Sequence, residues 1–296
     1  MSRRERRHPE RRQQGPGESA KDVMQKRLAT ATRITAVGAV VGALEELSRP
    51  DDMHNRSLFS WPIRRTGLRV LSNRKHDAVL WALEHPRYQG IVALRGAAAL
   101  GVLTTSSTSR LRSACLLMLS GLMLAKSYRH TYGSDGSDQL SFITTTVAGA
   151  ASLPGLSARH RGLLAGFLTF QSTLSYFSAG VAKLRSPAWR DGSAVTGIFR
   201  TKTYGDEGLY EFIRDRPWAA KMLAWSVIVA ETAFPIVLVL PPLPRRALLG
   251  LAATFHVGNA RFMGLNRFFW AFLGTYPVVD QSAEVIRGAI VRRKRK

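Results

Sequence analysis

Cysteine is nearly missing. Cys115 stands alone in 296 residues, which excludes an internal disulfide framework. No Cys/His cluster has the spacing of a zinc site either, so no metal is expected. Acidic residues are scarce, 20 Asp+Glu against 43 Lys+Arg, and the formal charge is +23. A charge of that size suits a nucleic-acid binder, but the basic residues are spread among termini and short loops rather than gathered on one polar domain, and no nucleic-acid partner is expected. The most informative absence is local. Residues 139–158 and 162–182 contain no Asp, Glu, Lys or Arg and residues 222–244 contain only Glu231, whereas residues 1–27 carry nine basic and four acidic side chains. A mean hydropathy near zero conceals this segregation. Charge-free runs separated by basic loops predict an integral membrane protein with the lipid bilayer as its surroundings.

Residues 1–27 hold almost no apolar side chains and include Gly15-Pro16-Gly17, the composition of a disordered basic tail. Residues 28–86 read as interfacial helices and a linker. The apolar stretch Ile34–Leu44 reaches only about 16 Å as a helix, too short for a crossing, so an interfacial or re-entrant helix is expected there. Gly38 and Gly42 form a GxxxG outside a full span and are given no packing role. Residues 87–280 read as the transmembrane domain. Its spans are expected near Tyr88–Ser107, Leu111–Ala125, Gln139–Leu156, Gly162–Ala182, Lys221–Leu240 and Arg246–Val279, the last broken at Gly258, Gly264 or Asn266. Arg112 and Lys126 are expected to snorkel from the ends of the second. A basic tail, 281–296, closes the chain. The expected architecture is thus all-α, a polytopic membrane helix bundle of about six spans plus an interfacial N-terminal helix. Loop charges favour a multi-pass cell-membrane protein with both termini in the cytoplasm.

Polar residues inside the apolar runs are the candidates for chemistry. Lys183 ends a run of twenty-one uncharged residues, Gly162–Ala182, beside Trp189. One reading is a lysine snorkelling at a helix end; the other is an amine held away from water, where it becomes a usable base. His256 and Asn259 stand at i and i+3 and share one helix face, either as helix-to-helix glue or as pocket residues. Glu231, a lone carboxylate, requires protonation or a partner such as Arg95 or Arg261. In the loop Tyr128–Asp138, Asp138 or Ser137 is expected to cap the next helix, with cation binding by Asp135 and Asp138 as the weaker alternative.

Four segments, in order, resemble the HTTM domain, the membrane domain shared with vitamin K-dependent gamma-glutamyl carboxylase. They are Ile91–Leu103 with its internal Arg95, the Tyr-Gly loop His130–Asp138, YFSAGVAKL followed by Trp189 and Gly192, and FHVGNARFMGLNRFFW at 255–270. The last two are the specific ones, and together the segments cover roughly residues 85–280. The resemblance implies Lys183 as the base that deprotonates a quinol of the vitamin K type, with His256, Asn259, Glu231 and Arg95 lining the pocket. It also implies a membrane-delivered peptide as substrate. The competing expectation is a non-catalytic membrane partner in peptide maturation, export or immunity.

Overall fold

The computed structural model describes residues 20–57, 59–68, 77–130 and 135–294, and within them every regular element is a helix. In chain order these are α1 (Ala20–Leu47), α2 (Trp61–Thr66), α3 (Asp77–Ala82), α4 (Arg87–Thr104), α5 (Arg110–Arg129), α6 (Gly136–Ala151) and α7 (Ala158–Arg185). They continue with α8 (Pro187–Asp191), α9 (Ser193–Phe199), α10 (Glu207–Arg214), α11 (Pro217–Ala233), α12 (Pro242–Met263) and α13 (Asn266–Lys294). A 3-10 turn, Phe234–Leu238, extends α11. Local chemistry sets the boundaries. Ser109, Asp135, Ser157 and Asp206 each accept a backbone N–H at the start of α5, α6, α7 and α10. Pro217 and Pro242 open α11 and α12, where a missing N–H costs nothing. Gly264, at φ +68, ends α12 in the left-handed conformation, so the expected break in the last span falls there.

The eight long helices alternate in direction. Arg112 of α5 donates to the Ala29 carbonyl of α1, Arg27 of α1 approaches Asp280 of α13, and Arg161 of α7 donates to the Ala151 carbonyl at the end of α6. These contacts, with Arg245 of α12 on Asp280, mark one end of the bundle, called here the near end. Glu46, Lys126, Asp138 and Arg267 mark the far end. Helices α1, α5, α7 and α12 run from near to far, and α4, α6, α11 and α13 return. The short helices α2, α3 and α8 to α10 lie in the far-end connections.

Four expectations need correction. Ile34–Leu44 is no short interfacial piece, because Ala20–Leu47 is one continuous helix of 28 residues. Its first turns, Ala20–Arg27, carry few apolar residues beyond Val23 and Met24 but are rich in helix formers, and helix propensity extends α1 into the stretch read as tail. Residues 1–19 lie outside the described residues. Gly38 and Gly42 face α13. A Cβ on Gly38 would lie 2.6 Å from the Trp270 side chain, and one on Gly274 would lie 2.3 Å from Thr35 Oγ1, so small residues bring α1 and α13 together. Arg112 and Lys126 do not snorkel either; both are buried. Among the described residues two helical segments, Asp22–Leu47 and Pro217–Leu238, are long and apolar enough to cross a membrane.

Among large apolar residues such as Leu119, Leu168 and Phe234, the interior holds many small and hydroxyl side chains. Thr144, Thr145, Ser172 and Thr275 are fully buried, with Ser172 and Thr275 joined at 2.8 Å. Large apolar residues such as Phe167, Phe170, Phe177 and Leu251 face outward. At Gly180 the closeness of helices has a testable consequence. A Cβ there would meet the Thr232 backbone nitrogen at 2.5 Å, forcing α7 and α11 apart. Gly180→Ala is expected to lower stability by about 1–3 kcal/mol. Gly166→Ala on the same helix, with nothing within 4 Å of the new methyl, should be neutral or stabilising in the same thermal-unfolding assay.

Candidate functional site

Four of the five sequence-predicted site residues come together. Lys183, Glu231, His256 and Asn259 line one cavity of about 710 Å³ between α7, α11, α12, α13 and the start of α6. Helix periodicity explains the convergence. Gln171, Ser175, Ala179 and Lys183 recur every fourth residue along α7, and Leu223, Val227 and Glu231 do so along α11, so each helix turns one stripe to the cavity. Phe255 and His256 from α12 and Phe268 and Phe272 from α13 form an aromatic wall. Trp189, Val195, Phe199 and Leu209, from α8 to α10, close the far end.

The cavity has two polar poles. At the first, Lys183 Nζ donates to Glu231 Oε2 at 2.6 Å and stands 5.1 Å from the centre of the Trp189 ring. The partner anticipated for Glu231 was an arginine, but Arg261 lies beside Asp206 at 3.7 Å, and the pairing falls instead to Lys183. The glutamate is nearly enclosed and the ammonium about one-fifth exposed, at 9% and 21% of their side-chain surfaces. At the second pole the Tyr176 hydroxyl contacts His256 Nε2 and the Tyr276 hydroxyl, each at 2.6 Å. His256 stacks on Phe272 with ring centres 4.5 Å apart. Its remaining nitrogen, Nδ1, is buried without a hydrogen-bond partner. A buried imidazole nitrogen left open costs free energy unless something else fills the position, and the cavity beside it is where a ligand group would do so.

Neither tyrosine was singled out from sequence. Tyr176 could have been, since it precedes Lys183 by seven residues, two helical turns on the same side of α7. Tyr276 carries no such signal, because its position opposite Tyr176 depends on how α13 packs across 100 residues of chain.

Arg95 belongs elsewhere. It is buried at the far end, 2.9 Å from Glu46 Oε1, and does not line the large cavity. Glu46 also accepts from Lys126 at 3.1 Å, and Lys126 reaches Asp138 at 3.0 Å. Arg267 lies 3.3 Å from Asp138 and 3.7 Å from Asp135. Five long helices, α1, α4, α5, α6 and α13, are thereby tied by one alternating charge network. Asp135, not Asp138 or Ser137, caps α6, and both aspartates are engaged by cations. No His/Cys/Asp/Glu group among the described residues has the arrangement of a metal site. Nearby, burial pushes the His130 imidazole down to about 4, so it is neutral near pH 7, where it bonds to the Tyr88 hydroxyl at 3.1 Å. Residues 131–134 of the Tyr-Gly loop lie outside the described residues.

The architecture and site together define an all-helical protein with a large, aromatic-walled, partly open cavity that has an ion pair at one side and a histidine at the other. Comparisons with protein-family models, curated proteins and solved structures return no match to this chain.

Proposed function

We propose that this chain is a multi-pass protein of the cell membrane, related to the HTTM domain, whose helix bundle encloses a pocket for a lipophilic, hydroxyl-bearing ligand of quinol type. The observation that carries the reading is the convergence of Lys183, Glu231, His256 and Asn259 on one cavity with aromatic walls. Outward-facing Phe167, Phe170 and Phe177, over an interior that includes many buried threonine, serine and alanine side chains, support the membrane setting, since helices in lipid associate through small and hydroxyl residues. With α1 as a crossing and α12 and α13 separated at Gly264, the six expected crossings become eight. The number stays even, so both termini remain on one face, taken as cytoplasmic.

Lys183 and Glu231 act as a pair. Their shared proton can reside on either partner, and with the proton on Glu231 the amine is neutral and able to accept one from an acidic hydroxyl. Aromatic walls would orient a flat ring, and His256 Nδ1 offers it a second hydrogen bond. Closure of the far end by Trp189 and Phe199 limits water around the pair. Such chemistry serves either a reaction on a membrane-delivered peptide or, if the proton never moves, a non-catalytic partner in peptide maturation. The decisive experiment is detergent extraction followed by mass spectrometry of copurifying lipophilic compounds. A hydroxyl- or carbonyl-bearing aromatic at about one per chain, depleted in His256→Phe, is expected. Recovery of the protein in the aqueous fraction without detergent would overturn the reading.

A further inference from the structure

A second cavity, of about 290 Å³, opens at the near end between α1, α5, α6 and α7, far from the Lys183 site. Its inner wall is apolar, with Leu28, Leu116 and Ala148, whereas two arginines, Arg112 and Arg161, stand at its polar side. Arg112 is buried, 3% exposed, and its donors go to uncharged acceptors: the Val102, Thr105 and Ala29 carbonyls and the Thr32 hydroxyl. Arg33, a like charge, donates to the same Thr105 carbonyl. Arg161 donates Nε to the Ala151 carbonyl, while its two terminal nitrogens have no partner among the described residues. No carboxylate lines the cavity, and neither arginine pairs with one among the described residues. Elsewhere the buried cations Arg95, Lys126 and Arg245 have carboxylate partners, and Arg129, which donates to the Phe59 and Met53 carbonyls, lies over the Trp61 and Tyr88 rings instead. A buried guanidinium whose charge is left uncompensated is costly, and an anion entering the cavity removes that cost.

We infer that this cavity binds the phosphate of an anionic lipid. Arg161 would hold it through its free terminal nitrogens and Arg112 would act through its field. Hydroxyls of Ser107 and Ser113 stand at the same side, and the apolar wall accommodates the first methylenes of the lipid chain. The volume, about ten times that of a water molecule, suits a headgroup phosphodiester rather than a whole lipid. The first turns of α5 and α7 add their positive dipole ends to the same place.

The site takes its lipid setting from the membrane reading above but uses none of the residues of the large cavity. The test is thermal unfolding of the full chain in neutral detergent micelles doped with phosphatidylglycerol or with phosphatidylcholine. A rise of about 5 °C specific to phosphatidylglycerol is expected when the lipid is well above its Kd. Arg161→Gln should abolish that rise, whereas Arg246→Gln, at the same end but outside the cavity, should keep it. Arg112→Gln would also remove its bonds to the end of α4 and to Ala29 and Thr32 of α1, so Arg161 carries the test. A shift with inorganic phosphate alone, lost in Arg161→Gln, would retain the anion site but assign it to a soluble phosphate. Equal shifts in all three proteins would reduce the effect to general surface charge and overturn the proposal, as would no shift with either anion. A chain that needs no detergent would remove the membrane reading separately, leaving the phosphate comparison to decide the site.

Discussion

Glu46→Gln is expected to destabilise the protein by about 3–5 kcal/mol, among the largest effects available to one substitution. The glutamate is the anion between Arg95 and Lys126, at 2.9 and 3.1 Å, and all three side chains are largely enclosed, at 13%, 4% and 8% exposure. Neutralising it leaves the Arg95 guanidinium buried without a counter-charge, while Lys126 keeps Asp138 at 3.0 Å. The amide preserves size and shape, so the loss reports charge rather than packing. Glu46→Leu combined with Arg95→Leu should recover much of the stability, because a buried pair replaced by apolar residues loses its desolvation cost along with its attraction. A double variant as unstable as Glu46→Gln would show instead that the glutamate acts mainly on Lys126. Thermal unfolding of the three proteins, the unaltered chain included, in one detergent decides between these outcomes.

The second large effect is at Lys183. Lys183→Met leaves Glu231 facing an apolar neighbour, and a loss of about 2–4 kcal/mol is expected, below the full buried-pair value because the amine is partly exposed. Lys183→Met with Glu231→Leu should restore stability. Function is expected to part company with stability here. If the pair moves a proton, proton uptake from a supplied short-chain hydroquinone falls by roughly 10²–10⁴-fold in Lys183→Met and stays low in the stable double variant. Lys183→Arg separates the roles further, since guanidinium keeps the ion pair but cannot become a neutral base. An arginine variant with unchanged proton uptake would leave Lys183 a purely structural partner of Glu231.

What could be read in advance follows the range of the interactions. Helix identity is local: the uncharged run Gly162–Ala182 becomes the body of α7, and Gln139–Leu156 becomes α6 as far as Ala151, short of the expected end. The break at Gly264 is local too, a residue that tolerates positive φ at the end of an apolar segment. The cavity residues were legible because polar groups inside apolar runs have nowhere to go but inward. Partners were not. Arg95 meets Glu46 across 49 residues and Lys183 meets Glu231 across 48, and no periodicity within one helix specifies which neighbour it will face. Glu46 itself was hidden in Leu44-Glu45-Glu46, which reads as the polar end of a short apolar stretch. Its importance emerges only when α1 is seen to be 28 residues long and to end among α4, α5 and α6.

The partnership of α1 with α13 bears on how the chain is made. Asn266 at the start of α13 donates to Glu45 at the end of α1, 221 positions earlier, and α13 and α4 are the two helices on which α1 packs most extensively. A ribosome must therefore synthesise the 221 positions that separate Glu45 from Asn266 before α1 can meet α13. During that interval the Gly38 and Thr35 face of α1 lacks the neighbour that covers it in the folded chain.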